Sequence, residues 1–310
     1  MKKLTVRIFS FLLVISTVLA LAGCTMIVVD PGDDNKQSDN STVTTEKKNN
    51  VKITVDDIEE GSMLVEVLEI GKADCIIINC GGYTVMIDAG EEDDKSSIFS
   101  RIILDKIDKI DYLIISHYDR DHIGCVPDIL KTYKVDKLIQ SDYTPLEPFN
   151  ESYTNYLAAL ETTDAEIINV KDEMNFTLGD MEFEITGPKG RDYSESGIDN
   201  NNSLLVGLKH KGNSFMFAGD VEKLRIIDIL KDGIGNYDFL KVPHHGVNNS
   251  QSKDFINAIK PKYAVICCSD KNPADVVLLE KLRAVNAEIY ETENGTVYAI
   301  SSSSGIEIKQ

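Results

Sequence analysis

Apolar and polar positions change period several times along the chain, and each change marks an element. Residues 63–69 alternate, 75–79 are mostly apolar, and 83–87 form a further run after Gly81-Gly82. Short runs joined through a Gly-Gly pair predict strands and a hairpin. Ile98, Ile102, Ile103, Ile107 and Ile110 then recur at helical spacing, with Ser96 or Ser97 as the expected cap. That helix leads into an apolar strand, Tyr112-Leu113-Ile114-Ile115. Further helices are expected at 127–133, 152–160, 221–231, 252–259 and 274–285, the last opened by Asn272-Pro273 as cap and first-turn proline. Further strands are expected at 137–140, 167–170, 181–186, 203–208, 214–218, 239–242, 263–267, 288–290, 297–300 and 306–309. Residues 187–202, with Gly, Pro, Ser, Asp and Asn and no periodicity, read as a long loop that borders a site. The order hairpin, helix, strand, polar loop occurs twice. An α/β fold follows, with two mixed sheets face to face and helices outside.

The N-terminus follows other rules. Lys2, Lys3 and Arg7 lead into an apolar run, 8–22, in which only Ser10, Ser16 and Thr17 are polar. A basic end followed by a short apolar core is expected of an export signal, residues 1–23. It ends in Leu21-Ala22-Gly23-Cys24, which resembles the bacterial lipobox. Cys24 is therefore expected to carry lipid and to tether the mature chain outside the cytoplasmic membrane. Residues 30–50 are mostly Asp, Asn, Ser, Thr and Lys and cannot bury enough surface to fold. Residues 24–57 are thus read as lipidated cysteine and polar linker, and 58–310 as one folded domain.

Composition narrows the partners. The 310 residues carry a formal charge of −19, and loss of the three N-terminal cations with the signal makes it −22. Such an acidic surface keeps a tethered protein soluble and weighs against tight binding of nucleic acid. The absence of Trp and 7% aromatic residues give no hint of a sugar-stacking site. Cys75, Cys80, Cys125, Cys267 and Cys268 form no CxxC pair and are expected to be small buried hydrophobes. No protein partner can be inferred.

The chemistry concentrates in residues 115–124, Ile-Ser-His-Tyr-Asp-Arg-Asp-His-Ile-Gly, where two imidazoles and two carboxylates share six positions after a buried strand. His117, Asp119, Asp121 and His122 are too crowded for one tetrahedral ion. The simplest arrangement is two ions, one on His117 and Asp119, the other on Asp121 and His122. Two ions need a bridge and further donors. Asp220, after Gly219 at a strand end, is placed like a bridge, and His244 or His245, past another apolar strand, supplies an imidazole. Singly, a Gly-Asp is commonly a helix cap and a loop His pair commonly faces solvent; together the three strand ends point to one rim. Asp88 either orients a ligand histidine from behind or caps its turn. Asp74 reads as a turn residue outside the chemistry.

His-x-Asp-x-Asp-His resembles the His-x-His-x-Asp-His signature of the metallo-β-lactamase superfamily, with Asp119 in place of the second His. Residues 68–74 (Leu-Glu-Ile-Gly-Lys-Ala-Asp), 87–90 (Ile-Asp-Ala-Gly), 202–206 (Asn-Ser-Leu-Leu-Val), 217–220 (Phe-Ala-Gly-Asp) and 240–246 (Leu-Lys-Val-Pro-His-His-Gly) resemble the branch that contains the C-terminal domain of the competence protein ComEC. The resemblance runs from Met63 to the C-terminus and implies a four-layer αββα metallo-β-lactamase sandwich. It further implies a hydrolase in which two divalent ions, zinc or manganese, activate a shared water for attack on phosphorus or an ester carbonyl. Catalytic roles are implied for Asp121, Asp220 and His245. The family's third imidazole of the first site has no counterpart: His210 is expected to face solvent at a hairpin turn, and Asn202 offers an amide oxygen or holds a water. Asp119 and Asn202 make that site richer in oxygen. The implied function is a ComEC-like phosphodiesterase or nuclease. The alternatives are a hydrolase of small or cell-envelope esters (a phosphocholine ester, a lactone, a β-lactam) and a non-catalytic metal-binding lipoprotein.

Overall fold

The computed structural model describes residues 51–146, 149–191, 193 and 199–310. The export signal, the lipid site Cys24 and the linker up to residue 50 lie outside the described residues, as do 192 and 194–198 of the long loop. In chain order the strands are β1 (Met63–Val67), β2 (Ile76–Cys80), β3 (Tyr83–Ile87), β4 (Lys109–Ile115), β5 (Lys134–Ser141), β6 (Glu166–Val170), β7 (Glu173–Leu178) and β8 (Met181–Thr186). They continue as β9 (Leu205–His210), β10 (Asn213–Phe217), β11 (Phe239–Lys241), β12 (Tyr263–Ile266), β13 (Glu288–Glu291), β14 (Val297–Ser302) and β15 (Gly305–Lys309). The helices are α1 (Lys95–Leu104), α2 (Arg120–Ile123), α3 (Val126–Thr132), α4 (Glu151–Leu160), α5 (Lys223–Asp232), α6 (Ser252–Ile259) and α7 (Val276–Ala284).

The eight-stranded sheet runs β15-β14-β1-β2-β3-β4-β5-β6 and the seven-stranded sheet β13-β12-β11-β10-β9-β8-β7. In each, a hairpin meets a parallel run: β3 pairs parallel with β4, and β10 with β11. The expected repeat is present: hairpin β2–β3, α1, β4 and the His117 loop, then hairpin β9–β10, α5, β11 and the His244 loop. Central strands covered on both faces read as continuous apolar runs, which is why they were legible in sequence. Between the sheets, Val65, Ile78, Val85 and Ile114 pack with Phe183, Val206, Phe215, Phe217, Phe239 and Val265. Ile98, Ile102, Ile129 and Tyr156 seal the outer face of the first sheet, and Ile226, Phe255, Ile256 and Leu282 that of the second. This is the αββα sandwich.

Several expectations shift, each for a local reason. The first helix stops at Leu104 because Lys106 turns left-handed at φ 56°, so Ile110 belongs to β4. Its entry uses neither Ser96 nor Ser97: Asp94 accepts from the Glu91 backbone in a preceding turn. Asp275 caps α7 by accepting from Val277, displacing Asn272 from that role. β7 escaped notice because it is an edge strand of Glu, Met, Asn, Phe and Thr that never becomes fully buried. The fold also reaches back into the expected linker: Ile53 is buried against Leu64 and Tyr298, and its carbonyl accepts from Arg101. All five cysteines described are buried and free.

Gly124 shows how tightly the layers approach. A Cβ there would lie 2.4 Å from the Glu92 nitrogen and 2.5 Å from the Glu91 carbonyl carbon, both backbone. Gly124→Ala is expected to cost about 2 kcal/mol, as overpacking against backbone does, read as a lower urea midpoint with unchanged slope.

Candidate metal centre

Loops at one edge of the sandwich are laced together by backbone bonds. Asp74 N donates to Asp121 O (3.1 Å), Ala89 N to His122 O (2.8 Å), Leu204 N to Ser116 O (2.8 Å) and His244 N to Gly219 O (3.2 Å). Gly219, at φ 49°, permits a close crossing, since a Cβ would meet Ser203 Cβ at 2.8 Å and Ser116 Cβ at 3.0 Å. The residues picked from sequence, on five separate stretches, are thereby drawn toward one edge.

Asp88 sits behind them, buried and left-handed at φ 57°. Its Oδ1 accepts from Ser116 N at 2.7 Å; its Oδ2 is 2.7 Å from Ser116 Oγ and 2.8 Å from His122 Nδ1. With its proton given to Asp88, Ser116 Oγ accepts from His117 Nδ1 at 3.0 Å. His245 Nδ1 donates to the Cys267 carbonyl at 3.2 Å. A neutral ring whose Nδ1 carries the proton has a bare Nε2. All three Nε2 atoms are buried and make no hydrogen bond.

Those nitrogens face carboxylates. His245 Nε2 lies 3.0 Å from Asp220 Oδ2 and 3.3 Å from Asp121 Oδ2; His122 Nε2 lies 3.4 Å from Asp220 Oδ2; His117 Nε2 lies 3.6 Å from Asp119 Oδ2. Among the described residues three groups of donors have their ligand atoms within 4.8 Å of one another: His117-His122-Asp220, Asp121-His122-His245 and, behind the rings, Asp74-Asp88-His122. Lone pairs turned on carboxylates repel, so such a nitrogen either takes up a proton or meets a metal ion. Burial favours the neutral His122 ring, yet Asp220, Asp88 and Asp74 outweigh it and push its pKa well above the usual value. Burial likewise opposes charge on His245, and Asp220 and Asp121 overcome it. Burial would raise the Asp220 carboxyl, but His245, His122 and Lys241 hold it well below the carboxylate range.

The structure separates the two adjacent histidines. His245 joins the cluster, whereas His244 Nδ1 pairs with Glu222 at 3.0 Å and its Nε2 lies 3.4 Å from Asn200 Nδ2. His244 is therefore removed from the set of converging donors. Both residues are left-handed, at φ 49° and 51°, a strain that divides their rings between two surroundings. Asn202 is buried, its carbonyl accepting from Ser141 Oγ, and does not join the converging donors, while neighbouring Asn201 caps α5 by accepting from Arg225 N. His210 does not face solvent: it is buried at the other end of β9, where Nδ1 meets Ser301 Oγ at 2.9 Å.

Two residues were missed. Asp74, read as a turn residue outside the chemistry, is a buried carboxylate beside the cluster, paired with Lys241 and with its Oδ1 3.6 Å from His245 Nδ1. Lys241 Nζ also donates to Gly219 O at 3.2 Å and lies 3.5 Å from Asp220 Oδ1. The available signal was a lysine inside an apolar strand, which burial tolerates only with a carboxylate opposite.

Imidazole nitrogens and carboxylate oxygens converging in a buried pocket fit divalent cations of the zinc and manganese kind. His117, Asp119, Asp121, His122, Asp220 and His245 are the residues that would hold such cations, with Asp88 and Ser116 fixing the rings of His117 and His122. Asp88→Asn removes a charged acceptor from His122 and from Ser116. It is expected to weaken metal binding by about 10- to 100-fold, measured by competition with a chelator of known affinity.

The comparisons with known proteins agree. The model of the metallo-beta-lactamase superfamily matches residues 69–270. Over 262 residues the chain is 27% identical to ComE operon protein 3 of Bacillus subtilis (strain 168), spanning 75% of this chain and 32% of that protein. Over 214 residues it is 26% identical to Recombination protein 2 of Haemophilus influenzae, spanning 67% of this chain and 24% of that one. The chain thus corresponds to a third or less of these relatives' length. Among solved structures, the metallo-beta-lactamase fold protein YhfI from Bacillus subtilis shares the fold, with a TM-score of 0.50 at 13% identity over 76% of this chain and 99% of that one. The family match, together with donors set at strand ends in this order, places the chain in the metallo-β-lactamase superfamily, on the side of the ComEC-like competence proteins.

Proposed function

We propose that the protein is an extracytoplasmic, metal-dependent phosphodiesterase of the ComEC-like kind. The observation that carries this reading is the set of three buried Nε2 atoms, each without a hydrogen bond and each turned on a carboxylate. The superfamily consists mainly of hydrolases, and the likeness to competence proteins favours phosphodiester substrates within it.

Divalent cations in this position supply Lewis-acid chemistry, making water acidic and polarising the oxygen under attack. The chain's own residues keep the donors in place. Asp88 and Ser116 hold His117 and His122 in one tautomer, and the Cys267 carbonyl does so for His245. Lys241 and Asp74 fix the floor under Asp220, so its Oδ2 stays turned to both imidazoles. Five carboxylates lie within 4 Å of the three clustered imidazoles, those of His117, His122 and His245: Asp74, Asp88, Asp119, Asp121 and Asp220. Against them stand the ammonium groups of Lys72 and Lys241. The deficit of three charges favours bound divalent cations, and two of them would leave the loaded site one charge positive.

The overall charge of −19 favours a second reading, a hydrolase of small or cell-envelope esters. A survey of DNA, RNA, bis(p-nitrophenyl) phosphate, phosphocholine esters, lactones and β-lactams separates the two by which class turns over. Metal content of one ion per chain with uniformly background rates would favour a binding lipoprotein instead.

Asp121→Ala removes a proposed ligand. Orienting residues behind a ligand are worth 10- to 100-fold, so loss of the ligand is expected to lower kcat/KM for bis(p-nitrophenyl) phosphate by at least about a hundredfold, together with loss of bound metal by atomic emission. The membrane attachment is proposed to be a lipid on Cys24, which follows the basic end and the apolar run 8–22 in the sequence. Cys24→Ala is expected to move the protein from the membrane to the soluble fraction, and an intact membrane pool would refute the anchor.

A further inference from the structure

We propose that Lys72 makes this site selective for substrates bearing one negative charge at the reacting group, as a phosphodiester does, over neutral esters. The inference rests on the phosphodiesterase reading and names the residue that would distinguish anionic phosphoryl esters, phosphocholine esters included, from the neutral lactone and β-lactam groups left open there.

Two cations contact the cluster's carboxylates among the described residues, and their positions differ. Lys241 is fully buried, locked between Asp74, Asp220 and the Gly219 carbonyl. Lys72 stands on the loop between β1 and β2, just after the left-handed Gly71, with Nζ 3.5 Å from Asp121 Oδ2. Its side chain is 34% exposed and that of Asp121 17%, so this pair lies where solvent enters. Arg120, in the ligand loop itself, is turned outward to Glu91 at 3.1 Å. Lys72 is therefore the cation that a molecule entering the cluster would meet.

Charge then decides what it does. Five carboxylates against Lys241 and two divalent cations come to zero; Lys72 makes the loaded site positive by one. The same count explains its freedom to move. An Asp121 engaged by cations holds an ammonium less strongly, and a lysine head on a four-carbon stem can follow a new partner. A non-bridging phosphoryl oxygen offers that partner as an acceptor of a charge-assisted bond. A neutral ester or triester offers no such charge and gains nothing from the ammonium.

The test compares wild type, Lys72→Met and Lys72→Arg at equal metal content. Turnover is measured on bis(p-nitrophenyl) phosphate and on its neutral methyl triester, and binding of inorganic phosphate by calorimetry. Lys72→Met is expected to lower the diester-to-triester ratio of kcat/KM about tenfold, mainly through the diester KM, the size of one charge-assisted bond. Phosphate affinity should fall in parallel, and Lys72→Arg should recover most of both. A merely structural role would move diester and triester together and would overturn the proposal. So would a diester turnover and a phosphate affinity that ignore the substitution, leaving the phosphodiesterase reading intact. The converse, phosphate binding that depends on Lys72 in a protein that cleaves no diester, would support the anion contact and overturn the phosphodiesterase reading.

Discussion

One buried carboxylate organises the site. Asp88 ends β3 in a left-handed conformation and shares its two oxygens among Ser116 N, Ser116 Oγ and His122 Nδ1. Through the serine hydroxyl it also governs His117. Because each ring gives its Nδ1 proton away from the centre, both present a bare nitrogen inward. A misplaced proton on either would point a donor where a cation belongs. The carboxylate can stay buried because it is fully engaged, which repays the cost of removing it from water.

The rest of the fold serves to keep those loops in register. Each sheet contributes a hairpin, a crossover helix and a parallel strand that ends in a polar loop. Stacking the sheets over Phe215, Phe217, Phe239 and the aliphatic strands opposite sets the two loops edge to edge. Backbone bonds such as Leu204 N to Ser116 O then fix their separation. A close-packed interior transmits such constraints because side chains have little room to yield.

Electrostatics explain why the site is both acidic and ordered. Five carboxylates and three imidazoles in one pocket are mutually unfavourable without cations. Lys241 relieves part of that load from below, and its pairing with Asp74 ties the β1–β2 loop to the second sheet. The two halves of the molecule are thus joined at the site by a salt bridge as well as by the core. Lys72 belongs to the same loop, so one short stretch supplies an anchor below the cluster and a charge at its mouth.

Periodicity determined most of the architecture because the central strands are apolar on both faces and the helices amphipathic. Ligand density in residues 117–122 marked the site, since imidazoles and carboxylates at that spacing have few other uses beside a buried strand. Sequence could not separate His244 from His245: adjacent residues are chemically equal until backbone strain sends one ring to Glu222 and the other to Asp220. Nor could it find Asp74, whose partner Lys241 lies 167 positions away and meets it only when the sheets stack. His210 failed for the same reason, because β14, not solvent, covers the end of its hairpin. Local pattern fixes which residues are able to do the chemistry; contacts between distant strands decide which of them are brought to it.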